Sequence, residues 1–193
     1  MGVVQHYSSV APVFLIFGNA DIYDDEVRKL NNKFGLHLPF FVNDLSQIPD
    51  VNILKNRFVN FNGVRIGGLK YFVDASWVRE FKPANYNKRL SQAQRQTQKA
   101  QKVLNWFGKN SVDILLAHQP PYGILDKVGK NAPEHWQGKH AGSKIIRDYI
   151  LRYSPRYVFC GHIHESAGHK KVGQTEVYNL GSEGDYKILE ISK

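Results

Sequence analysis

The apolar positions of this chain fall into short unbroken runs separated by polar, turn-rich stretches. Residues 13–17 form the first run, closed by Gly18, and a run of that length predicts a strand buried on both faces. Residues 112–117 and 157–160 repeat the pattern, one ending at His118 and the other at Gly161-His162. Between 34 and 83 the pattern changes to short alternating segments broken by turn residues. Within it, residues 58–61 and 64–69 flank Asn62-Gly63, a dipeptide suited to the positive φ angles of a two-residue hairpin turn. Residues 176–180 and 186–191 read as closing strands.

Helical spacing appears in three places. Asp24, Asp25 and Glu26 stand where carboxylates complement the N-terminal dipole of a helix running to about Lys33. Their expected role is capping rather than ligation. In the polar stretch 84–107, Leu90, Ala93, Ala100, Val103, Leu104 and Phe107 mark one apolar helical face. Its basic, Gln-rich outer face reads as solvated surface. Residues 144–153 form a third helix, with Ser143 as N-cap and Pro155 beyond its end. Without a repeat, a low-complexity tract or a linker, the 193 residues predict a single domain spanning 1–193.

A formal net charge of +9 raises the local concentration of anions, including phosphate esters, nucleic acids and anionic membranes, and does not choose among them. The single cysteine, Cys160, excludes an intramolecular disulfide and fits a reducing compartment. Beside Tyr157, Val158 and Phe159 it reads as strand core rather than as a nucleophile. No apolar run approaches the roughly 18 residues of a membrane span, and the N-terminus lacks a secretion-signal pattern. A cytoplasmic chain with no membrane partner is expected.

Three apolar strands end in small polar clusters: Gly18-Asn19-Ala20-Asp21, His118-Gln119-Pro120-Pro121, and Gly161-His162-Ile163-His164-Glu165. In layered α/β proteins ligands bind outside the carboxyl ends of the strands, so the clusters should meet at one edge of the sheet. Histidines two apart in a loop can offer imidazoles to adjacent metal ions. Gly161 is expected to give that loop a close backbone approach or an unusual φ. His118 adds an imidazole and Asn19 an amide oxygen, a mixed N/O donor set suited to Mn, Fe, Zn or Ni.

In this order, Gly18-Asn19-Ala20-Asp21, His118-Gln119-Pro120-Pro121-Tyr122-Gly123, His140-Ala141-Gly142-Ser143 and Gly161-His162-Ile163-His164-Glu165-Ser166 resemble the calcineurin-like metallophosphoesterases, and more narrowly their small prokaryotic members. The resemblance extends over nearly the whole chain. It implies an α/β fold in α/β/β/α layers, a β-sandwich flanked by helices with the site at one end. It further implies that Asn19, His118 and His162 hold one metal and that His164 reaches another, with Asp21 and His140 as candidate catalytic residues. His140 has a second expected role, capping the helix that follows. The implied cofactors are divalent ions, manganese first and Fe, Zn, Ni or Mg as alternatives, and the implied substrate is a phosphomonoester or phosphodiester. In the complete site two ions about 3.5–4 Å apart bind the phosphate oxygens, lower the pKa of a bridging water and stabilise an in-line displacement.

The chain departs from the family pattern in three respects. The Asp-X-His and Gly-Asp motifs of the first two strand–helix units do not occur before Gly18; Gln5 and His6 sit in what resembles the end of a helix leading into the strand at 13–17. The remaining donors are nearly all neutral and would compensate two crowded dications poorly, so one ion is expected here. Ala20 stands where many relatives carry a histidine, which should handicap leaving groups of high pKa. An open strand edge and apolar face are expected where the two units are absent. Three explanations fit: a start upstream of Met1, a partner chain or second copy covering the gap, or a shortened relative whose sheet has been recast. Three functions remain: a metal-dependent phosphoesterase, an impaired phosphoesterase-like binding or scaffolding domain, and, least supported, a nucleic-acid binder using the basic helix at 88–102. Asp126 is expected to border the pocket, and Trp77 and Trp136 to pack rather than to stack on a substrate base.

Overall fold

The computed structural model describes residues 2–19, 21, 24–182 and 187–191. Asn62 and Gly63 take φ angles of 52° and 85°, so the hairpin turn forms as its sequence demands. Strand β3 (Arg57–Phe61) folds back on β4 (Val64–Leu69) with Phe61 opposite Val64. Four strands run parallel at the centre of the larger sheet: β4, β5 (Ile114–Ala117), β6 (Tyr157–Cys160) and β8 (Thr175–Asn179). With β3 at one edge and β7 (Gly168–Val172) antiparallel at the other, the order is β3-β4-β5-β6-β8-β7.

Parallel central strands must be covered on both faces, and alternation along them divides the cover. Leu69, Leu115, Val158 and Val177 join the cluster holding Leu104 and Phe107 of α5 (Tyr86–Lys109) and Ile146 and Ile150 of α6 (Lys144–Tyr153). Ile66 and Ile114 form a separate cluster with Leu54, Phe14 and Ile16. These last residues belong to a two-stranded parallel sheet, β1 (Val13–Leu15) with β2 (Val51–Ile53), and its flanks. Beyond it lie α1 (Gly2–Ser8) and α3 (Phe41–Ser46), through Val4, Val42 and Leu45. The layers are therefore α/β/β/α, as expected. The two sheets approach closely at Gly68, where a β-carbon would stand 2.2 Å from that of Leu54.

Several boundaries differ from the sequence reading. β1 ends at Leu15 and is half-buried rather than buried on both faces, because among the described residues it pairs along one edge only, with β2. The stretch 34–83 holds two helices not anticipated, α3 and α4 (Ala75–Phe81). The cap explains α4: the Asp74 carboxylate accepts from the Ser76 amide. A helix, α2 (Asp24–Phe34), begins at the acidic cluster as expected. The closing strand at 176–180 is β8, and β7 was missed because it is an exposed, basic edge strand without apolar alternation. Residues 187–191 form no strand, and Tyr186 lies outside the described residues. Among the described residues no helix is long and apolar enough to cross a membrane.

Candidate active site

The carboxyl ends of β5 and β6 are neighbours, and the loop after β1 reaches them from the other sheet. Three polar atoms meet there. His118 Nε2 lies 2.6 Å from Asn19 Oδ1 and 3.1 Å from His162 Nδ1, and the third edge of the triangle, His162 Nδ1 to Asn19 Oδ1, is 3.2 Å. With a proton on a ring nitrogen the three share hydrogen bonds. With lone pairs turned inward, the same atoms offer three ligand positions on one face.

Backbone ties hold the loops in register. The Gly161 amide donates to the His118 carbonyl, joining the β6 loop to the β5 loop at 3.1 Å. Ile163 N donates to Gly161 O at 2.8 Å around His162, whose φ is 69°, the signature of the rare positive-φ γ-turn. The unusual φ therefore belongs to His162 itself and not to Gly161, whose added β-carbon would meet only the Gly181 carbonyl oxygen at an ordinary 3.6 Å. A histidine in that region costs on the order of 1–2 kcal/mol, stored where the chemistry is expected. Asn179, 2% exposed, anchors the loop by donating from one amide to the carbonyls of Leu125 and Ile163. No motif in the sequence announced this role.

Burial controls the charge of the two rings. It holds the His162 imidazole down to about 4, with the neighbouring His118 and His164 adding to the effect. It also lowers His118, where His164 acts in the same sense and the Asp21 carboxylate opposes. Both rings are thus neutral near pH 7, the state a metal ligand needs. Tyr71 stands edge-on to His118, with ring centroids 5.3 Å apart, and its own hydroxyl is pushed up by burial. No motif marks this tyrosine.

The other expected residues lie around the triangle rather than in it. Asp21 turns its carboxylate onto the Gly18 amide at 2.8 Å, closing the loop that presents Asn19. His164 opens a short 3-10 turn, His164–Ser166, exposed to solvent and near enough to act electrostatically on both triad rings. His140 is drawn to Asp126, Nδ1 to Oδ1 at 2.7 Å. It does not cap α6; Ser143 does, accepting from the Ile146 amide. Asp126 is 2% exposed and also accepts from the amides of Gly123 and Gly142, so it braces the loop. Trp77 stacks on Phe81 and meets Trp136 edge-on, as expected for packing. Ala20 lies outside the described residues. Cys160 is buried and its thiol pushed up by that burial, which fits strand core.

Two imidazoles and one amide oxygen suit a divalent ion of mixed N/O preference. Donor atoms about 2.1 Å from one ion and at right angles to each other stand about 3 Å apart, close to the edges found here. The set fits part of one ion's shell. It does not supply two shells: among the described residues no group of three or more His, Cys, Asp or Glu side chains is arranged to hold a metal.

The fold is a layered α/β/β/α domain with a cluster of polar atoms at the carboxyl ends of its strands. The chain belongs to the calcineurin-like phosphoesterase family, whose profile matches residues 3–166. It is 33% identical over 70 residues to UPF0046 protein K07C11.7 of Caenorhabditis elegans, covering 36% of this chain and 21% of that one. It is 38% identical over 74 residues to the uncharacterized protein MJ1162 of Methanocaldococcus jannaschii, covering 37% and 32%. The matched segments thus span about a fifth and a third of those relatives. The phosphopantetheinyl hydrolase PptH of Mycobacterium tuberculosis superposes at a TM-score of 0.50 and 15% identity, over 93% of this chain and 82% of that one. A second solved structure matches at 0.52 and 18%, over 93% and 63%. At such identities the likeness speaks for the fold.

Proposed function

We propose that this chain, as one domain, is a metal-dependent phosphoesterase that hydrolyses a phosphomonoester or phosphodiester. The observation that carries the reading is the meeting of Asn19 Oδ1, His118 Nε2 and His162 Nδ1, delivered by separate sheets to one point. A divalent ion held by these atoms, manganese by preference, would supply the positive charge that draws in a phosphate ester and stabilises the charge growing on its oxygens. The chain's own groups do the rest. Burial keeps both imidazoles neutral and ready to ligate. Asp21 orders the loop carrying Asn19. His164, exposed beside the triad, would meet substrate phosphate or a second ion. His140, its Nδ1 held by Asp126, keeps Nε2 available toward substrate.

The test is hydrolysis of bis-p-nitrophenyl phosphate with added Mn²⁺, wild type against His162→Ala. A large loss in the variant is expected, and equal rates would remove the reading. A second reading, a phosphoesterase-like binding domain without catalysis, is favoured by the neutral, incomplete donor set. Metal analysis finding two ions per molecule would count against it.

A further inference from the structure

A cavity of about 420 Å³ opens beside the triad, and the mechanism above makes no use of it. Its size falls within the roughly 300–1,000 Å³ of small-molecule sites. Tyr71 from the loop after β4, Trp77 from α4, and Arg89 and Gln92 from α5 line it. Gln119 and His162, from the loops after β5 and β6, complete the wall nearest the triad. His162 therefore belongs both to the cavity and to the triangle of ligating atoms. The cavity and the triangle are thus neighbouring sites that share one wall.

The lining carries a chemical preference. Arg89 is its fixed charge, and no carboxylate lines it among the described residues. Trp77 and Tyr71 offer flat apolar surface. Gln119 is 4% exposed, and its Oε1 has no hydrogen-bond partner among the described residues. A buried amide oxygen left unpaired is destabilising, so a partner for it is favoured. The last torsion of a glutamine is soft, so a small turn presents either end of the amide to an incoming group.

We infer that this cavity receives the organic part of the phosphate ester, and that the substrates are esters of flat, aromatic-sized alcohols, neutral or anionic, with a hydrogen-bonding group for Gln119. The assignment rests on the phosphoesterase reading, since it seats the phosphate at the triad. A small alkyl group would leave the cavity unfilled. A cationic one would meet Arg89 with no carboxylate to compensate.

Binding of phenylphosphonate and methylphosphonate to the Mn²⁺-loaded protein, measured by calorimetry, tests this without any turnover. Phenylphosphonate should bind at least about tenfold more tightly, the effect of burying one ring. Gln92→Trp, at an exposed position of α5, should fill the cavity and abolish that preference while leaving methylphosphonate affinity and the thermal midpoint unchanged. Arg89→Ala should selectively weaken 4-carboxyphenylphosphonate, and Arg89→Lys should restore much of it. Equal affinities in the wild type, or a preference that survives Gln92→Trp, would overturn the inference. An aryl preference in a protein that cleaves no ester would instead overturn the hydrolase reading alone, and failure of both phosphonates to bind would overturn both.

Discussion

A β-carbon on Gly18 would stand 2.5 Å from Cε1 of the His118 ring. The glycine of the Gly-Asn pair is there because the imidazole occupies the space a side chain would take. Gly18→Ala should push that ring out of the triangle. Calorimetric titration should show Mn²⁺ affinity reduced at least about tenfold, with a loss of fold stability of only about 1–2 kcal/mol. Unaltered affinity would mean that His118 does not ligate.

The pH dependence of the metal-free protein follows from His162. Its native value of about 4 lies below the ordinary 6.5, so between those values the unfolded chain binds more protons. Stability is then complete above about 6.5 and falls as the pH drops toward 4. After allowance for partial exposure the loss is about 2 kcal/mol. Urea midpoints measured from pH 7 to pH 4 should show it, and His162→Asn should flatten the curve.

Asp126 accepts from the Gly123 and Gly142 amides and from His140 while 2% exposed. Asp126→Ala would strand all three donors and should cost about 3–4 kcal/mol in urea unfolding. Asp126→Asn keeps the shape and one acceptor and should cost less.

Gly68→Ala tests the contact between the sheets. The new methyl would meet Leu54 Cβ at 2.2 Å, Leu54 O at 2.7 Å and Ile16 Cγ2 at 2.9 Å, with little room to yield. A destabilisation of about 2–3 kcal/mol is expected. Gly2→Ala, which meets nothing within 4 Å, is the matched control.

What the sequence disclosed was local in origin. The Asn62-Gly63 turn, the Ser143 cap and the apolar runs ending at His118 and at Gly161 each announce themselves within a few residues, and each is found. Helices α3 and α4 span only 6 and 7 residues, too few for their periodicity to emerge from noise. Long-range ties were invisible. Nothing near Asn179 says that its amide will hold Ile163, and nothing near Tyr71 says that it will stand against His118. An unusual φ is expected at Gly161 because glycine adopts positive φ freely. The structure puts it at His162, inside the turn closed by the Ile163 amide on the Gly161 carbonyl.

Asn19 belongs to the smaller sheet's connection, and His118 and His162 to the larger sheet's. An ion shared among them would act as a clasp between two layers whose remaining contact is largely apolar. Its departure should loosen the smaller sheet before the helix-covered larger one. Amide exchange along β1 would then quicken on chelation while that of β5 stayed slow.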